Sequence, residues 1–147
     1  MKNKLITTIL ILVAFQGFAQ KKSITKSELT IGYTTFKQEI TIDLDVGDTL
    51  RYVYISFKNE KYKSITDMKY IILHTKNNFE EFKKDFLMAS KECSTGSNID
   101  WSRKDYALVI YDFSNNIYLT DKTLRAYTLI SPNNAKKINE WLNSVEF

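Results

Sequence analysis

The 147-residue chain is 44% apolar and 14% aromatic, with one proline and four glycines, which excludes a collagen-like or Pro/Gly-rich disordered polymer and implies a well-filled core. The formal charge of +4 falls by two when Lys2 and Lys4 leave with the leader described next. The remaining basic residues are scattered, so there is no footprint for nucleic acid.

The first segment reads as a bacterial export signal. Lys2 and Lys4 make a positive n-region, and Leu5 to Phe15 is apolar but for Thr7 and Thr8. Gly17-Phe18-Ala19 sets small residues at the −3 and −1 positions, so cleavage is expected after Ala19. The apolar run is too short for a permanent span, and no Cys follows it to take a lipid. The expectation is a single α+β domain over 20–147 in the periplasm or outside the cell, with no integral membrane segment after cleavage.

Gln20 to Lys26 is polar and basic and reads as a tail. Leu29, Ile31 and Tyr33, then Ile40, Ile42, Leu44 and Val46, alternate with polar residues or Gly, predicting a hairpin that ends at Gly47-Asp48. Asp43-Leu44-Asp45-Val46-Gly47-Asp48 resembles a fragment of a calcium loop. Its Gly comes one place early and Tyr54 stands where an EF-hand needs Glu, so a strand running into a turn accounts for it better.

Leu50 to Phe57 is the strongest strand, apolar on both sides: Val53, Ile55 and Phe57 on one, Leu50, Tyr52 and Tyr54 on the other. Lys58 to Lys61 predicts a turn and Lys69 to His74 another strand. Phe79, Phe82, Phe86 and Ala89 then form a helical stripe behind Thr75 as N-cap. Cys93 to Ser102 predicts a loop linking two halves. The lone Cys93 excludes an intramolecular disulfide. It reads as an unpaired residue at a helix end, the alternative being a cross-link to a second copy. Tyr106 to Phe113, Ile117 to Thr120 and Leu124 to Ile130 predict strands. Ser131-Pro132 opens a helix with Ala135, Ile138, Leu142 and Val145 as its stripe and Trp141 at its edge.

Sliding the chain on itself by 56 residues aligns Val53 with Val109, Phe57 with Phe113, Asn59 with Asn115, Tyr62 with Tyr118, Leu73 with Leu129, and Thr75 with Ser131. This predicts tandem repeats, 51–87 and 107–143, joined through 93–102. The repeated Phe-x-Asn-x-x-Tyr element reads as turn chemistry. The fold expectation is a mainly antiparallel sheet of about six or seven strands with two helices on one face.

No constellation marks a catalytic centre. Cys/His metal spacings, phosphate loops, dinucleotide fingerprints and nucleophile elbows are absent, so neither metal nor cofactor is expected. His74, the only histidine, has no second His beside it; paired with carboxylates it would be the centre of a small secreted enzyme or inhibitor. The most informative surface is aromatic. Tyr52 and Tyr54, and in the second half Tyr106 with Leu108 and Ile110, are expected on the sheet face away from the helices. Tyrosine suits recognition of a protein or carbohydrate, or of a second copy. The function expectation is therefore an exported, non-enzymatic binding protein, with an envelope assembly component as a further alternative. An N-terminal hairpin folded over Tyr52 and Tyr54 would remove that basis.

Overall fold

In the computed structural model, residues 21–147 are described apart from 45, 65, 94, 96, 97, 112 and 113; the expected leader, 1–19, lies outside the described residues. Strands β1 (Lys21–Ile31), β2 (Thr34–Asp43), β3 (Thr49–Lys58) and β4 (Met68–Leu73) form one antiparallel meander, followed by helix α1 (Lys76–Glu92). Strands β5 (Ile99–Ser102), β6 (Tyr106–Ile110), β7 (Ile117–Asp121) and β8 (Ala126–Ile130) form a second, followed by α2 (Pro132–Ser144). The α+β class stands, but the single sheet of six or seven strands is corrected to two sheets of four.

The additional strands come from segments without a clear local signal. Lys21–Lys26 belongs to β1: its backbone pairs with Glu39–Asp43 while its side chains stay exposed, so burial leaves no pattern there to read. Ile99–Ser102 lies in the expected loop yet pairs with Ala107–Ile110, with Ile99 and Trp101 half-buried. Gly32 takes φ +60° in the two-residue β1–β2 turn, a conformation that favours glycine. At the β2–β3 turn the Val46 N–H donates to Asp43 Oδ1 (3.3 Å) and the Gly47 N–H to the Asp43 carbonyl (2.7 Å), a hairpin closure.

Capping and stripe set both helices. Thr75 Oγ1 accepts from the Asn78 N–H (3.2 Å), and Ser131 Oγ from the Asn134 N–H (3.4 Å). Phe79, Phe82, Phe86 and Ala89 of α1 are fully buried, as are Ala135 and Leu142 of α2, with Ile138 nearly so. Each buried Phe contributes roughly 2 kcal/mol.

The halves share one core because their helices cross over. From α1, Phe82 meets Tyr106 of β6 edge-on (ring centroids 5.1 Å) and Phe79 stacks on Phe147 (5.3 Å). From α2, Trp141 packs on Phe36 of β2 (5.9 Å) and donates Nε1–H to Ser27 Oγ of β1 (2.7 Å). Asn139 Nδ2–H donates to Ser90 Oγ between the helices (2.6 Å).

The registers of the two sheets correspond. Leu29, Phe36, Ile55 and Ile71 are cross-strand partners in the first; Trp101, Leu108, Leu119 and Thr128 hold the matching places in the second. The helix caps Thr75 and Ser131 stand 56 residues apart, whereas the last strand residues, Leu73 and Ile130, stand 57 apart. His74 is the extra residue: β8 runs directly into its cap, and β4 does not.

Candidate functional site

Among the described residues no other layer packs over the outward face of the first sheet. The β1–β2 hairpin extends the sheet beside β3 instead of folding over it, so Tyr52 and Tyr54 are half-buried among neighbours in their own layer. Their rings meet edge-on at 5.0 Å, and the Tyr52 hydroxyl shares a hydrogen bond with Thr41 Oγ1. Burial, and then the neighbouring Tyr52, raises the pKa of the Tyr54 phenol. Thr35, Lys37, Glu39, Tyr54, Ser56 and the exposed Tyr70 line a hollow of about 410 Å³ on this face, with Lys37 paired to Glu39. The second sheet carries its own outward aromatic row: Tyr118 lies edge-on to Tyr111 (4.8 Å) and 5.7 Å from Tyr127.

Tyr106 does not share this face, and its expected position is corrected. Pairing of Tyr106, Leu108 and Ile110 with Asp121, Leu119 and Ile117 turns all three into the core. The Tyr106 hydroxyl donates to Asp85 Oδ2 (3.0 Å), and Arg103 clasps the same carboxylate through Nε–H (2.7 Å) and Nη2–H (2.9 Å). Burial pushes the Asp85 pKa up, but the bonds from Arg103 and Tyr106 outweigh it and hold the carboxyl below its ordinary range. The Tyr106 phenol is pushed far above its ordinary value by burial and then by the Asp85 charge. This cluster fastens α1 to the second sheet. Asp85 lies three residues after Phe82 and four before Ala89, so a carboxylate on the apolar stripe was the available signal.

His74 lies at the junction of the two sheets. With Tyr70, Ile71, Ile72, Asp105, Asp121, Thr123 and Leu124 it lines a groove of about 310 Å³ between β4 and the turn after β7. Asp121 is buried (4% exposed), and its Oδ1 accepts from the N–H groups of Thr123 (2.8 Å) and Leu124 (3.2 Å). Among the described residues no three His, Cys, Asp or Glu side chains converge to hold a metal ion, and no helix is long and apolar enough to cross a membrane. Cys93 is fully buried at the C-cap of α1, where its Sγ donates to the Ser90 carbonyl (3.1 Å).

The matching junction at β8 is stitched. The Glu60 N–H donates to the Tyr127 carbonyl (2.9 Å), and the Tyr127 N–H to Asn59 Oδ1 (3.4 Å). Asn59 is buried, accepts from the Lys61 N–H (3.2 Å), and donates Nδ2–H to Asp67 Oδ2 (3.0 Å). The first Phe-x-Asn-x-x-Tyr element thus supplies both a turn and a fastener between sheets, whereas Tyr118 of the second lies within β7.

No protein-family model, curated protein or solved structure matches the chain.

Proposed function

We propose that the chain is an exported, non-enzymatic binding protein whose open tyrosine-bearing sheet face engages a protein or carbohydrate. The observation that carries this reading is the course of the N-terminal hairpin, which lies alongside β3, so that among the described residues no other layer covers Tyr52 and Tyr54. Amphipathic rings beside Lys37, Glu39 and Ser56 combine apolar contact with hydrogen bonding, a mixture that recognition surfaces use. Export rests on the leader, whose h-region ends in a small-residue cleavage motif.

The test measures retention of the chain on insoluble peptidoglycan, chitin and cellulose, and selection against a random-peptide display library. Retention or selection that Tyr52→Ala with Tyr54→Ala reduces at least tenfold, and that the two Phe variants largely keep, supports the reading. No binding to any of these probes, or binding indifferent to the Ala pair, overturns it.

Descent of the two halves from one duplicated unit belongs to the same proposal. It is supported by the common order of elements, the matching registers and the equivalent caps.

A second reading, a small enzyme or inhibitor centred on His74, has one observation in its favour: His74, Asp105 and Asp121 line one groove. Hydrolysis of a chromogenic ester, peptide or glycoside panel, lost in His74→Ala, would support it. Activity unchanged by that substitution, or none at all, would overturn it.

A further inference from the structure

The free edge of β4 lies in the groove, and its backbone geometry states what fits there. The Asn59 N–H donates to the Asp67 carbonyl (2.8 Å), which makes that cross-strand pair a hydrogen-bonded one. Alternation along an antiparallel ladder then assigns Phe57–Lys69, Ile55–Ile71 and Val53–Leu73 to hydrogen-bonded pairs. Met68, Tyr70 and Ile72 therefore turn their N–H and C=O groups away from β3. Among the described residues none of these groups has a partner.

Exposed edges are normally blunted. β1 has Lys21, Lys22, Lys26 and a register shift between Thr25 and Ser27; β5 is four residues long; β8 is covered at Tyr127 by Asn59 and Glu60. β4 has no such cover, and its one lysine, Lys69, belongs to the opposite side and pairs with Asp67 (2.7 Å).

Asp121 explains the contrast between the junctions. Tyr70 faces Ser56 as Tyr127 faces Thr120, and the turn residues Thr123 and Leu124 occupy the places of Asn59 and Glu60. The position of Asp121 is held in the first sheet by Phe57, which has no acceptor to offer. The carboxylate captures the Thr123 and Leu124 N–H groups, so Leu124 cannot donate to Tyr70 as Glu60 donates to Tyr127.

We propose that this groove takes an extended peptide segment bearing a basic side chain, added as a short strand on the edge of β4. The segment is a peptide because the unmet groups are alternating main-chain donors and acceptors, and because a backbone N–H and an amide carbonyl satisfy the same place on β8. It is basic because, among the described residues, Asp105 and Asp121 line the groove beside His74 and no Lys or Arg does. At about 310 Å³ the groove is near the small end of ligand pockets, roughly 300–1,000 Å³, so it encloses only a short stretch of the segment. This site adjoins the Tyr52/Tyr54 face, since Tyr70 lines both hollows, but it depends on the β4 backbone and not on Tyr52 or Tyr54, so either can hold if the other fails.

The test is an NMR amide titration of the chain with two blocked peptides, acetyl-TVKVT-amide and acetyl-TVEVT-amide. The lysine peptide shifts the Tyr70 and Ile72 amides, and the glutamate peptide binds at least about threefold more weakly, the scale of one exposed ion pair. Tyr70→Pro, which removes the outward N–H from an edge where proline is tolerated, abolishes binding, while Tyr70→Ala keeps it. Asp105→Asn narrows the gap between the peptides. If the proline variant does not fold, methylation of the central peptide amide serves instead and lowers affinity at least tenfold. The inference is overturned if neither peptide moves those amides at millimolar concentration, if both bind equally, or if cellohexaose moves them and the peptides do not.

Discussion

Two junctions join the sheets, and they differ although the strands around them correspond. At β8 the Asn59-Glu60 turn is bonded to both backbone groups of Tyr127; at β4 the equivalent turn is folded onto Asp121 and leaves Tyr70 uncovered. One carboxylate in the place of a phenylalanine redirects two N–H groups inward, and an edge that would have closed stays open. A local turn preference can thus decide whether two sheets join.

The halves also differ where their helices land on the neighbouring sheet, and this difference carries the largest expected effect. α1 is held by a buried carboxylate between Arg103 and Tyr106, α2 by a neutral indole on Ser27. Asp85→Ala leaves the buried Tyr106 hydroxyl without its acceptor, releases the exposed Arg103, and is expected to lower unfolding stability in urea by about 3 kcal/mol. Trp141→Phe removes one neutral hydrogen bond and part of a ring, with an expected loss of about 1–2 kcal/mol. Equal losses would mean that the charge at α1 contributes nothing special.

Acid sharpens the same contrast. The Asp85 pKa is depressed in the folded chain, so its contribution is fully present above the ordinary carboxylate value of 3.8 and is lost as pH falls through the lower folded value. Wild type should lose stability below about pH 4 more steeply than Asp85→Asn. Parallel curves would remove Asp85 as the source.

At the junctions, Asn59→Ala should lower stability by about 2 kcal/mol, because it leaves the Tyr127 and Lys61 N–H groups without their acceptor. Thr123→Ala, at the equivalent place, should change it by less than about 0.5 kcal/mol. The smallest signal is in amide exchange: Tyr127 should be protected, and Tyr70 should exchange near the rate of an open amide. A protected Tyr70 would mean that the β4 edge is already covered.

What could be read from the sequence divides by the range of the interaction. Caps and stripes are local, and Thr75, Ser131 and the buried faces of both helices follow from spacing alone. The alternation of Leu50 to Phe57 correctly separates Val53, Ile55 and Phe57 from Tyr52 and Tyr54. In β6, Tyr106, Ala107 and Leu108 are all buried, so period two cannot tell its faces apart; the register with β7 decides, and that is a non-local property. The 56-residue slide holds in the helices, where Phe82 and Ile138 are both buried. In β4 it sets buried Ile71 and Leu73 against half-buried Tyr127 and exposed Leu129, since His74 lengthens one connection, and it lays β3 on β6 although β7 holds the place of β3 in the second meander. The groove was not legible because main-chain groups make its floor, and any residue in their place would present the same ones.

The crossed helices govern how the protein can come into being. Synthesis through residue 92 completes the first meander and α1, yet the cover for Phe82, the clasp for Asp85 and the ring that stacks on Phe79 are still unmade. The Phe79–Phe147 stack joins residues far apart in the chain, and such closure is slow. Each half is an unfinished piece until the other arrives, so folding waits for Phe147 to be made, and a chain severed in the connecting segment should regain structure only when both fragments are mixed.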